Sequence, residues 1–173
     1  MDWFNAADVA DRLVFRTASF CTERSGHFDA FDQGISFFLP NMTWIQPVGY
    51  VHSMIAKAWQ PNGLSAALDS PRDNIGISVS AQASDHFESI TVLVTNDANT
   101  TRSLDLTVQG APAQTKATAT TLGSPDVEAA NTPGNPTNIS PQPLSVEYDA
   151  AKGVATATIG PHSFTTIVFR SEA

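Results

Sequence analysis

From position 75 to position 169 the apolar residues fall on every second position in short runs: Ile75, Ile77, Val79 and Ala81; then Ile90, Val92 and Val94; then Leu104, Leu106 and Val108. Side chains of an extended chain alternate between two faces, so each run buries one face and leaves the other to solvent. An amphipathic helix would need steps of three and four instead. Ala117 with Ala119, Leu144 with Val146 and Tyr148, and the run 154–159 continue the pattern, whereas the run 164–169 carries adjacent apolar residues and predicts burial on both sides. Turn formers gather at 96–99, 110–112, 151–153 and 160–162. At least six strands with that punctuation favour an antiparallel β-sandwich, jelly-roll-like, over a barrel. The stretch 123–143 holds Pro125, Pro133, Pro136, Pro141 and Pro143 and reads as a long ordered loop.

The front of the chain has a different make-up. Eleven of the 15 aromatic residues, Trp3, Trp44 and Trp59 among them, lie in the first 60 positions. Two cores are implied, divided where Pro61, Asn62, Gly63, Pro71, Asp73 and Asn74 cluster, so residues 1–60 and 61–173 are read as separate units. Asn5 and Asp8 open a helix with Ala6, Val9, Ala10, Leu13, Thr17 and Phe20 at three- and four-residue steps, and Ser25 and Gly26 close it. A short strand follows over 28–34. Pro40 and Asn41 interrupt the chain, and a second helix starts at Pro47 with Val48, Val51, Met54, Ile55 and Ala58 as its apolar stripe. Helix, strand, loop and helix form an α/β signature.

Several function classes are disfavoured at once. The length of 173 residues suits about one domain, and nine Lys+Arg against 17 Asp+Glu leave a net charge of −8, which repels phosphate backbones and anionic lipid. Neither nucleic acid nor a membrane is expected as a partner. The longest apolar runs fall well short of the roughly 20 residues of a membrane span, and Asp2, Asp8, Asp11, Arg12 and Arg16 argue against a signal peptide in the first 20 positions. The single cysteine, Cys21, can form neither an internal disulfide nor a zinc site of several thiolates. Three sequons, at Asn41, Asn99 and Asn138, permit a secretory route without requiring it, so the compartment stays open.

Few residues carry a chemical signal. Glu23 is the only glutamate before Glu88, so a pair of glutamates for acid and base work cannot be assembled in the aromatic-rich part. His27, Asp29 and Asp32 have the donor types of a metal cluster, yet polar residues at a strand mouth explain them more simply, and no metal or cofactor is expected. Ser25 with His27, and Ser163 with His162, lack a Gly-x-Ser-x-Gly elbow and are not read as hydrolase dyads. His52 and His86 stand alone, and Cys21 reads as a small core residue. Trp44, Tyr50 and Trp59 offer flat faces that suit the apolar side of a sugar ring. Tyr50 and Trp59, at the ends of the helical stripe, are expected to pack instead, while Trp44 in the loop is open to either role. Gln33, next to Gly34 at the strand end, can both donate and accept toward a small polyol or simply close the strand.

Two longer stretches point to a family. The run Phe31-Asp32-Gln33-Gly34-Ile35-Ser36-Phe37-Phe38-Leu39-Pro40-Asn41, with Thr43-Trp44-Ile45-Gln46-Pro47 and Tyr50-Val51, resembles the segment that closes the catalytic barrel of family 51 α-L-arabinofuranosidases. Leu122-Gly123-Ser124-Pro125-Asp126, then Asn131-Thr132-Pro133-Gly134-Asn135-Pro136 and Ile139-Ser140-Pro141, is similar to a loop of that family's C-terminal sandwich, and Gly160-Pro161-His162-Ser163-Phe164 to its closing strand.

The resemblance implies the C-terminal part of an α-L-arabinofuranosidase: the last helix-strand-helix piece of a (β/α)8 barrel over 1–60 and the sandwich over 61–173. It implies a missing N-terminal barrel of the same protein as partner, and an arabinose-containing polysaccharide or oligosaccharide, of arabinan or arabinoxylan type, as substrate. The catalytic glutamates would lie on that missing part, so no catalytic residue is carried onto this chain. Gln33 matches by position the glutamine that touches arabinose, and Trp44 would line the same rim. Residues 1–60 should then be poorly stable alone, and the chain by itself inactive. The competing reading is a free-standing β-sandwich that binds carbohydrate or another protein.

Overall fold

In the computed structural model, the residues described are 35–69, 76–109 and 116–171. The expected first helix and the strand at 28–34, with Gln33, lie outside them. Among the described residues, eleven strands and one helix follow in the order β1 (Ser36–Leu39), β2 (Met42–Ile45), α1 (Pro47–Ala58), β3 (Asn62–Leu64), β4 (Ile77–Ala83), β5 (Ser89–Asn96), β6 (Arg102–Thr107), β7 (Lys116–Gly123), β8 (Gln142–Leu144), β9 (Val146–Asp149), β10 (Val154–Ile159) and β11 (Ser163–Arg170). The architecture is mostly β and antiparallel, as the period-two pattern predicts.

Two sheets face each other. One has six strands in the order β3-β4-β5-β11-β7-β8, the other three in the order β6-β10-β9. Between them Ile77, Ile90, Val92, Val94, Ala119, Ile167 and Phe169 from the larger sheet meet Leu104, Ala155, Ala157 and Ile159 from the smaller. Phe169 is wholly buried, and Tyr148 approaches it edge-on with ring centroids 6.0 Å apart. Burying a side chain of that size contributes about 1.5–3 kcal/mol.

The larger sheet is covered on its other face too. Val51 and Met54 of α1 pack with Leu93, Leu122, Phe164 and Ile139, and Tyr50 and Ile55 flank them. This corrects the one-faced reading of β5: Thr91, Leu93 and Thr95 are as buried as Ile90, Val92 and Val94. Threonine on alternate positions disguised a second buried face, because its methyl packs while its hydroxyl reads as polar. The run at 164–169 is buried on both faces as expected: Ile167 and Phe169 pack toward the smaller sheet, and Phe164 packs with Val51 and Met54 of α1.

Three further differences have local causes. Leu144, Val146 and Tyr148 do not share one strand: β8 pairs with β7 in the larger sheet, and past Ser145 the chain crosses over as β9 to pair with β10 in the smaller one. All three side chains still pack against the same core. Within the turn-rich stretch at 60–74, Asn62–Leu64 forms an edge strand on β4. The segment expected as a loop before α1 is a hairpin, with Leu39 opposite Met42 across the two-residue turn Pro40-Asn41 and Trp44 opposite Phe37. Neither turn residue takes a positive φ, and proline's ring presets the first corner.

Helix α1 begins at Pro47 as the sequence predicts. Its N-cap, Gln46, makes no side-chain capping bond. That side chain is used elsewhere.

Candidate functional site

Trp44 is a strand residue of β2, not a loop residue, and it is half-buried. Its indole stacks on Phe37 with centroids 5.7 Å apart and planes 20° from parallel, so one face is covered from within the hairpin. The edge is tied as well: Nε1 donates to the carbonyl of Asn131 at 3.2 Å. Gln46 Nε2 donates to that same carbonyl at 2.9 Å.

Asn131 itself is 3% exposed. Its Nδ2 donates to the carbonyls of Ile45 at 2.7 Å and Ile139 at 2.9 Å, and its Oδ1 accepts the Ile139 amide at 2.7 Å. Five hydrogen bonds therefore converge on one residue of the proline-rich loop, and three of them reach the β2–α1 junction more than 80 residues away in sequence. A buried carbonyl or amide left without a partner costs about 1–3 kcal/mol. The node thus locks the hairpin and the start of α1 onto the sandwich in one geometry. Nothing in the sequence marks Asn131 for this role, because its partners share no local spacing with it.

The remaining candidates separate. Trp59 is 55% exposed at the end of α1, which corrects its expected packing; Tyr50 is half-buried against the second core. His52 and His86 are exposed on the helix and on the β4–β5 turn. Ser163 is buried, and its Oγ donates to the Gly160 carbonyl at 2.7 Å, so it serves the turn before β11 and no nucleophile role falls to it. His162 beside it sits at φ 43° and donates its amide to the Ala98 carbonyl at 3.1 Å. Among the described residues no three His, Cys, Asp or Glu side chains cluster as metal ligands, and no helix is long and apolar enough to cross a membrane. Gln33, Glu23, His27, Asp29, Asp32, Ser25 and Cys21 lie outside the described residues.

The hairpin, the helix, the Asn131 loop and the sandwich strands from β3 through β10 together are what the profile of the α-L-arabinofuranosidase C-terminal domain matches, over residues 35–163. The chain belongs to that family. Three solved structures share the arabinofuranosidase-domain fold. An arabinose-bound family 51 α-L-arabinofuranosidase superposes with a TM-score of 0.69 at 14% identity, over 80% of this chain and 21% of its own. The family 51 arabinofuranosidase from Xanthomonas axonopodis pv. citri gives 0.63 at 15% identity, over 80% and 29%. The α-L-arabinofuranosidase from Thermotoga maritima, solved as an arabinose complex, gives 0.64 at 19% identity, over 80% and 32%. The arabinofuranosidase-like chain thus spans between about a fifth and a third of those structures. A search of curated proteins finds no match.

Proposed function

We propose that this chain serves an α-L-arabinofuranosidase that removes terminal non-reducing α-L-arabinofuranosyl residues from arabinan- or arabinoxylan-type polysaccharides. Support comes chiefly from the family match over residues 35–163, which takes in the hairpin and helix as well as the sandwich strands up to β10. Hydrolysis would use a retaining pair of glutamates on an N-terminal barrel: one attacks the anomeric carbon while the other protonates the leaving oxygen, and water then releases the sugar as the second acts as base. Both carboxylates would come from outside this chain. In this reading residues 1–60 end the barrel and residues 61–173 form the sandwich, with α1 as the barrel element seated on the larger sheet through Val51 and Met54.

Within this chain, Gln33 and Trp44 are the proposed sugar contacts. Phe37 and Asn131 hold the Trp44 ring by one face and by its Nε1, which fixes its orientation without any sugar present. A preset aromatic face costs little entropy on binding. The test is to assay an aryl α-L-arabinofuranoside with the purified chain alone and with the chain joined to a family 51 barrel. The joined protein should turn over substrate, and Trp44→Ala should raise its KM. Turnover by the chain alone, abolished by a substitution within it, would overturn the assignment of the acids.

One observation favours the second reading, a self-standing carbohydrate-binding sandwich: the exposed ring of Trp59. Retention of the chain on arabinan, lost in Trp59→Ala, would support it over the barrel reading.

A further inference from the structure

The three sequons are chemically alike in sequence and unlike in the fold. Asn138 is engaged: Nδ2 donates to the Ala130 carbonyl at 3.3 Å and Oδ1 accepts from Asn135 at 3.2 Å. The middle residue of that sequon, Ile139, is buried, with both its amide and its carbonyl bonded to the Asn131 side chain. Asn41 lies at the β1–β2 turn, but the rest of its sequon is strand, with Met42 paired to Leu39 and Thr43 to Phe38. A transferase must bend an acceptor tripeptide so that the hydroxyl at the third position reaches the asparagine, and paired strand resists that bend.

Asn99, Thr100 and Thr101 occupy the connection between β5 and β6, outside both strands, and all three are exposed. The shape of that connection is held from the inside. Asn96 Nδ2 donates to the Thr100 carbonyl at 2.8 Å, Asn96 Oδ1 accepts the Ala98 amide at 3.1 Å, and the Ala98 carbonyl accepts the His162 amide at 3.1 Å. None of these bonds uses the Asn99 side chain. The geometry points to Asn99 as the acceptor, among the three, for an N-linked oligosaccharide. In the transfer, Asn99 Nδ2 bonds to the anomeric carbon of a lipid-pyrophosphate-linked oligosaccharide. The bond from that carbon to the pyrophosphate oxygen breaks, the lipid pyrophosphate leaves with the electron pair, and the amide gives up one proton to a base.

The test is secretion of the full chain from a eukaryotic host behind a cleavable leader, followed by enzymatic deglycosylation in heavy-oxygen water and peptide mass mapping. Asn99 is expected to carry the label at higher occupancy than Asn41 or Asn138, and both Asn99→Gln and Thr101→Ala are expected to lose the deglycosylation-sensitive mobility shift of the main band. Thr101→Ala keeps the asparagine, so matching losses assign the effect to the sequon. An unmodified Asn99, or greater occupancy at either other site, overturns the inference.

Discussion

Gln46 and Asn131, 85 positions apart, are joined through a buried 2.9 Å hydrogen bond from the glutamine Nε2 to the asparagine carbonyl. The glutamine stands where a helix cap would be but makes no capping bond, so its side chain serves the tertiary joint in place of the local one. Stability should therefore respond to the loop residue more than to the helix terminus.

Asn131→Ala deletes three side-chain bonds and strands the Ile45 carbonyl and both backbone groups of Ile139. The expected loss is about 3 kcal/mol, against about 1 kcal/mol for Trp44→Phe, which keeps the stacking and gives up only the indole N–H bond. Urea unfolding of the two variants checks the ordering. Equal losses would show that the node does not hold the joint.

Gly49→Ala offers a sharper contrast, because intrinsic helix propensity favours alanine by about 1 kcal/mol. A Cβ at this position would stand 2.6 Å from both Ile35 Cγ2 and Ile45 Cγ2 and 2.7 Å from the Ile35 carbonyl oxygen. The carbonyl is backbone and cannot swing aside. A net destabilisation of about 1–3 kcal/mol is expected in thermal melts, and a stabilised variant would mean that the hairpin is not seated on α1.

Asn96 is wholly buried and donates to the carbonyls of Thr100 and Gly160, the latter at 2.7 Å. Asn96→Asp keeps the shape but presents acceptors to two acceptors. It should destabilise by at least as much as Asn96→Ala, about 2–4 kcal/mol. Burial beside carbonyls raises the introduced carboxyl's pKa above its unfolded value, so protonation restores a donor and the deficit should shrink as pH falls toward 5. Melts of both variants between pH 5 and 8 read this directly.

Asp149 titrates in the opposite sense. The Lys152 ammonium at 3.0 Å, then the Lys152 and Ala151 amides, hold its carboxyl below the ordinary carboxylate value. Its contribution to the β9–β10 turn is present above about pH 4 and is lost as pH falls through the lowered folded value. Because the group is exposed the effect is small. Asp149→Asn should flatten the acid limb of the stability curve slightly, and an unchanged limb would remove the turn from the account.

Much of the architecture was legible from local pattern. Period-two spacing marked β4, β5, β6 and β10, Pro47 marked the start of α1, and the proline-rich stretch at 123–143 read as the loop that runs between β7 and β8. The errors share a cause. Pro40 and Asn41 resemble a break and so hide the hairpin before α1, and β5 reads as one-faced because two of the three residues on its second face, Thr91 and Thr95, are threonine. Trp59 reads as a packing residue because helical spacing reports a stripe but not whether anything covers its end. Of the proposed sugar contacts, Trp44 was singled out by its chemistry alone; the structure adds what holds it.

Side-chain alternation and turn chemistry act between near neighbours, so the amino-acid order was enough to specify strands, helix start and a mostly β fold. Which sheet each strand joins, and which loop residue clamps the helix, depends on groups that meet only after the chain has closed over long separations. Ser145, where one apolar run passes from the larger sheet to the smaller, and Asn131, whose partners at Trp44, Ile45 and Gln46 come from the far end of the described chain, were settled by packing and by the cost of leaving buried polar groups unpaired.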